Sequence, residues 1–204
     1  MTTLANLRSG LRVLLNDTAA EGYLWNDAAL RLHLNDAIRS YSRAFPRQRE
    51  AALTTIAEQR EYDLPDDCLA VVRVYLSGAT LLEGEGAAPW DPACSYIVYA
   101  NKLLLSPAPG GSGLSIALRY LATHASLVED GDPSTVPDAD EDLLLTHAAA
   151  RALQTLLAEE TKRRRFETQS GQPTRAVANL YWEQYERGIR LRTARVRPGR
   201  LVAV

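Results

Sequence analysis

The strongest candidate chemistry in this chain is cationic. RLRTARVRPGRLVAV, residues 190–204, carries Arg190, Arg192, Arg195, Arg197 and Arg200 with no acid, and KRRRF (162–166) precedes it. Guanidinium groups hold carboxylates and phosphates through paired hydrogen bonds, so such clusters serve docking rather than bond making. Trp182 and Tyr185 stand near Arg187 and Arg190, and aromatic residues beside arginine are the composition of interaction hot spots. In the tail, Val196, Leu201, Val202 and Val204 alternate loosely with arginines, which suits an arm that docks in extended form. The candidate docking residues are therefore Trp182, Tyr185, Arg187, Arg190, Arg192, Arg195, Arg197, Arg200, Leu201 and Val202.

Other chemistry is hard to assemble. His33, His124 and His147 have no second metal-type ligand at a helical spacing, and each reads as a solvated or satisfied histidine. G-x-S-x-G, the P-loop and H-E-x-x-H are absent. GGSG (110–113) joins two strand-like runs rather than opening a helix, so it lacks the N-terminus that makes an anion site. The stretch 129–142 holds seven carboxylates, Glu129, Asp130, Asp132, Asp138, Asp140, Glu141 and Asp142, at spacings unlike an EF-hand. Several suit a helix N-terminus, where the dipole favours negative charge. Cys68 and Cys94 match no metal or redox motif and read as reduced, partly buried thiols. The expectation is a non-enzymatic protein without metal or cofactor.

The elements behind these residues follow from periodicity. The 204 residues are 46% hydrophobic and 24% charged, with formal net charge -2. From Lys162 onward eleven cations face three acids, giving +8, so residues 1–161 carry -10. Such asymmetry points to a partner for the basic end. No run of about 18 apolar residues exists, and the N-terminus lacks the pattern of a signal peptide. Leu4, Leu7, Leu11 and Leu14 mark one helix, about 3–17. Asn26 as N-cap, with Trp25 and Leu30 at the staple positions, opens a second, about 26–45, closed by Pro46. The period then changes. ALTTIA (52–57), LAVVRVYL (69–76), SYIVYANKLLLS (95–106, turning near Asn101) and GLSIALRYL (113–121) predict a small, mostly antiparallel sheet over about 50–122.

Helices resume after the acidic stretch. Asp138 and Glu141 fit a capping box for a helix of about 139–166, whose face carries Leu145, Ala149, Ala152, Leu153, Leu156 and Leu157. SGQP (170–173) breaks the chain, and a last helix of about 173–193 presents Val177, Leu180, Tyr181, Tyr185 and Ile189. The predicted fold is α+β: mainly a four-helix bundle, with an inserted antiparallel β-sheet, in one domain of 1–193. Pro198-Gly199 rules out helix to the end, so 194–204 is predicted as an extended arm.

Several segments together resemble the head-to-tail adaptor proteins of tailed bacteriophages, also called connector or head-completion proteins. LRVLLNDTAAEGYLWNDAALRLHLNDAIRSYSRAFP (11–46) is similar to their N-terminal helical pair, and REYDLPDDCLAVVRVYL (60–76) to the strand–turn–strand that follows. LLLSPAP (103–109), IALRYLA (116–122) and DEDLLLTHAAARALQTLL (140–157) continue the order. Y-x-W-x-D-x-x-L before L-N-D-A-I, with YDLP leading into an apolar strand, is the most telling combination. The resemblance implies a virion structural protein, made in the host bacterial cytoplasm, that forms a commonly twelvefold ring below the portal. Its implied partners are the portal protein, the next neck or tail protein and copies of itself, while packaged DNA passes the lumen without sequence-specific binding. C-terminal segments of the family often reach toward the portal. The sheet insertion is longer here than in the smallest, purely helical members. The alternative is a nucleic-acid-binding module using KRRRF and the tail, whose binding would depend steeply on salt. Against it stand the acidic overall charge and the lack of a reading motif.

Overall fold

The computed structural model describes residues 2–18, 22–83 and 95–196. Among these are five α-helices: α1 (Leu4–Leu14), α2 (Asp27–Ala44), α3 (Glu141–Leu156), α4 (Glu160–Ser170) and α5 (Thr174–Val196). They belong to one compact unit, residues 1–44 with 124–204, and residues 45–123 form a second unit made of strands.

In the helical unit α3 is central and packs against α1, α2 and α5. Its sequence explains this. Ala148, Ala149, Ala150 and Ala152 are fully buried, and small side chains let neighbouring helices come close on more than one side. α5 comes close at Gly188, where a Cβ would lie 2.2 Å from Leu143 Cδ2. Leu4, Leu7 and Leu11 of α1 and Leu30, Leu34 and Ile38 of α2 complete the interior, as their spacing predicts. Asn26 caps α2, accepting from the Ala29 amide at 2.7 Å. The α1–α2 connection is tied by Asp17, whose carboxylate accepts from the Leu24 amide (2.8 Å) and from Arg12 Nη1 (2.8 Å).

Three expectations for the helices need correction. The single helix expected over 139–166 is two, so the count is five rather than four. After Leu156 the backbone tightens, with Ala158 N bonding Thr155 O and Glu159 N bonding Leu156 O, and Glu159 leaves helical geometry (φ -110°, ψ 87°) before α4 starts. The leucine–alanine stripe ends there, and the polar α4 is anchored by Phe166, which packs edge-on to Trp25 at 6.3 Å. The capping box of Asp138 and Glu141 does not start α3 either. A 3-10 turn (Asp138–Asp140) precedes it, and Asp140 stands at the N-cap without a side-chain capping bond. Its carboxylate is occupied elsewhere, by the Tyr41 hydroxyl at 2.5 Å. At the other end, α5 continues through Val196 and so overruns the expected start of the arm at 194. Residues 197–204 lie outside the described residues.

The second unit corrects the expected single sheet to two four-stranded sheets. One has the order β1-β8-β3-β4, from β1 (Arg47–Thr54), β3 (Cys68–Leu76), β4 (Ala79–Thr80) and β8 (Ser115–Ala122). The other has the order β2-β7-β6-β5, from β2 (Glu61–Asp63), β5 (Leu82–Glu83), β6 (Ser95–Tyr99) and β7 (Lys102–Ser106). All pairs are antiparallel except β5 with β6. Each sheet buries one face, and the two faces share one core: Val74, Ile116, Leu118 and Tyr120 from the first, Tyr62, Tyr96, Leu103 and Leu105 from the second. The predicted hairpin forms, turning at Ala100 and Asn101, both at positive φ. The strand read at 52–57 lies earlier, at 47–54, because its polar first half (RQRE) masks the pattern. Cys68 is half-buried and free, and burial raises its thiol; Cys94 lies outside the described residues.

Candidate docking surface

The predicted docking residues of α5 divide into two groups. Trp182 and Tyr185 pack on His147 of α3, with ring centroids at 5.0 and 4.8 Å and edge-to-face geometry. Tyr185 is only 8% exposed, and its hydroxyl pairs with Ser40 Oγ of α2 at 2.8 Å. Its apolar-face position thus serves the fold: it joins α5 to α2 and α3. Leu180, expected on the packed face, is exposed instead, and Ala178 takes the buried place. Arg187 and Arg190 are exposed, and among the described residues neither makes an ion pair. Arg192 turns inward, with Nε 3.0 Å from the buried Asp140 carboxylate. The Arg195 backbone lies in α5, but its side chain, with Arg197, Arg200, Leu201 and Val202, is outside the described residues.

Beside these residues runs a cleft between α2 and α5. One part, of about 520 Å³, is lined by Arg43, Ala44, Tyr185, Glu186, Ile189 and Arg190. A second, of about 240 Å³, shares Ser40 and Arg43 with it and reaches Asp36, Arg39, His147, Arg151 and Trp182. The first is mainly apolar at its floor; the second is cationic. Arg39 and Arg151 both pair with Asp36, Arg151 at 3.7 Å. Burial opposes the Asp36 charge, but the two guanidiniums still hold its carboxyl below the usual range. Arg43 is exposed and unpaired among the described residues. At the floor, His147 is pushed down to about 4 by burial and then by Arg151, so it is neutral at pH 7. Its Nδ1 is buried without a hydrogen-bond partner among the described residues. The cleft thus carries excess positive charge above a partly apolar floor.

Sequence reading missed Arg39, Arg43 and Arg151, which come from two other helices. A signal existed: Asp36, Arg39, Ser40 and Arg43 recur at the spacing of one helical face. Cations spaced along a helix leave no run in the sequence, and Asp36 among them offsets their charge. KRRRF offers less free charge than its density suggests, because Lys162 and Arg164 pair with Glu159 and Glu160 at 2.7 and 2.5 Å. The acidic stretch has mostly local uses. Asp130 binds Arg8 through both oxygens, and Asp132 accepts from the amides of Val128 and Glu129. Among the described residues no group of three or more His, Cys, Asp or Glu is placed to hold a metal ion.

A helical unit with a cationic cleft, carrying a β unit inserted between its helices, has the features of a docking protein. A family model for SU10 adaptor proteins matches residues 2–203, and the chain belongs to that family. It is thereby a structural adaptor of bacteriophages. No curated protein matches the chain.

Proposed function

We propose that this adaptor forms a ring, twelvefold, below the portal, where it joins the capsid to the neck or tail and extends the DNA channel. Its partners are the portal, the next neck or tail protein and its own copies, and its place is the virion. The family match over residues 2–203 carries the reading. In this arrangement residues 194–204 are the docking arm for an acidic portal surface. Arg187 and Arg190, exposed and unpaired among the described residues, extend that basic surface back along α5. Arginine suits the task because its planar fork pairs with carboxylates on a neighbour. DNA in the lumen is a neighbour of these cations rather than their target.

A chain truncated after Val196 tests the arm. It keeps all described contacts, so its helix content and thermal midpoint should match the full chain. Co-sedimentation with portal should be lost, and electron microscopy should show rings on portal only with the full chain. Normal head completion by the truncated chain would remove the arm from the reading.

A further inference from the structure

We propose that the α2–α5 cleft receives the acidic turn 128–132 of a second copy of this chain. This rests on the ring reading above and names the contact that would close the ring.

The acceptor is unsatisfied in a specific way. Its floor is apolar at Ala44, Tyr185 and Ile189, and its rim holds Arg43 and Arg190, both unpaired among the described residues. Beside it, Arg39 and Arg151 share the single carboxylate of Asp36. The complementary ligand is an aliphatic side chain next to free carboxylate.

The turn V-E-D-G-D supplies that chemistry. Val128 is 57% exposed, and Glu129 beside it is exposed with no ion pair among the described residues. The turn is also held in shape before any contact. Asp132 Oδ2 accepts from the Val128 and Glu129 amides at 2.7 and 2.8 Å, and Arg8 fastens Asp130. Arg31 Nη1 binds Val128 O at 2.9 Å, and Asn35 binds Leu127 O. A preorganised loop loses little freedom on docking.

Placement favours a copy of the same chain. Arg31 and Asn35 grip the turn, whereas Asp36, Arg39, Ser40 and Arg43 line the cleft, so donor and acceptor use different faces of α2. Two distinct patches on one subunit are what a head-to-tail interface requires, and rotation closes such contacts into rings. A nucleic-acid strand would fit the arginines but has no aliphatic side chain for the apolar floor.

Charge exchange tests the contact in the full chain assembled on portal. Arg43→Glu and Glu129→Arg alter exposed positions, so folding should be unchanged by circular dichroism. Each alone should weaken copy-to-copy association at least tenfold by sedimentation. The two combined in one chain should restore it to within threefold. Separately, Arg43→Lys places an amine in the cleft. Carbodiimide would couple it to the Glu129 carboxylate, forming an amide as the carbodiimide takes up the water as its urea. With mixed unlabelled and ¹⁵N-labelled copies, a mixed-isotope peptide pair joining positions 43 and 129 is expected. Rings that form without that pair, and that ignore both charge reversals, overturn the contact while leaving the ring reading intact. Coupling of position 43 to a portal carboxylate, or protection of the cleft by duplex DNA, overturns it in favour of that occupant. If no ring forms under any condition, both readings fail together.

Discussion

His147 shows how a buried residue can record its surroundings. Burial disfavours its cation most, Arg151 adds repulsion, Asp36 opposes it, and His33 adds a further small repulsion. Arg39 and Arg43 face the same cavity, and Trp182 and Tyr185 close over the ring. With a folded value of about 4, against 6.5 unfolded, only the unfolded chain takes up this proton between those limits. Stability from this group is therefore complete above pH 6.5 and falls as the pH falls toward 4, by roughly 3 kcal/mol. His33, also lowered by burial, acts in the same direction. The lowered carboxyls Asp36, Asp130, Asp132 and Glu167 lose their contribution only below the ordinary carboxylate range. Urea unfolding between pH 7 and pH 5 should thus read the imidazoles, and His147→Phe should flatten the profile. A wild-type profile already flat over that interval would refute the assignment.

Between elements, the decisive contact is the crossing of α3 and α5. Gly188→Ala puts a methyl 2.2 Å from Leu143 Cδ2, so the leucine end must move. Helix propensity gains about 1 kcal/mol from that change, while overpacking costs about 1–3 kcal/mol. Net destabilisation of about 1 kcal/mol is expected. Leu143→Ala makes room, so its cost should be smaller in the Gly188→Ala chain, with a coupling of about 1 kcal/mol in denaturant unfolding. Simple additivity would mean that the helices do not meet there. This crossing also marks how far the sequence could be read. Leu4, Leu7, Leu11, Leu30 and Leu34 announced their helices by period, and Ala100-Asn101 its hairpin, because the signals are local. The break at 157–159 and the doubling of the sheet were not legible, because both depend on partners distant in sequence: Trp25 for Phe166, and one sheet's face for the other's. Within the docking set, Arg187 and Arg190 are exposed and unpaired among the described residues, whereas Tyr185 and Arg192 are held within the fold, by Ser40 and Asp140. Composition can mark a residue as adhesive without showing whether the chain itself satisfies it.

For the whole molecule, the insertion is a closed excursion. In the strand unit, Arg47 pairs with Ala122, so the ends of residues 45–123 lie side by side. In the helical unit, the chain leaves at Ala44 and returns at His124, whose amide donates to Ser42 Oγ at 2.9 Å. The His124 ring stacks edge-on against Tyr41 at 5.2 Å, which fixes the return point. Each unit also holds its own buried cluster: α3 with its neighbours in one, and the two facing sheets in the other. Replacing residues 45–123 by a short Gly-Ser linker should therefore leave a cooperatively folding helical unit. Loop-closure entropy varies slowly with length, so its stability should change by no more than about 2 kcal/mol. Far-UV dichroism and urea unfolding read this directly, and a chain with no cooperative transition would show that the helices need the insertion to fold. The proposed copy-to-copy contact involves only the helical unit, through Arg43 and Glu129. The shortened chain should therefore keep its self-association and, with Arg43→Lys, the 43–129 coupling. A shortened chain that folds but no longer assembles would assign the β unit to the ring interface and displace the cleft from that role.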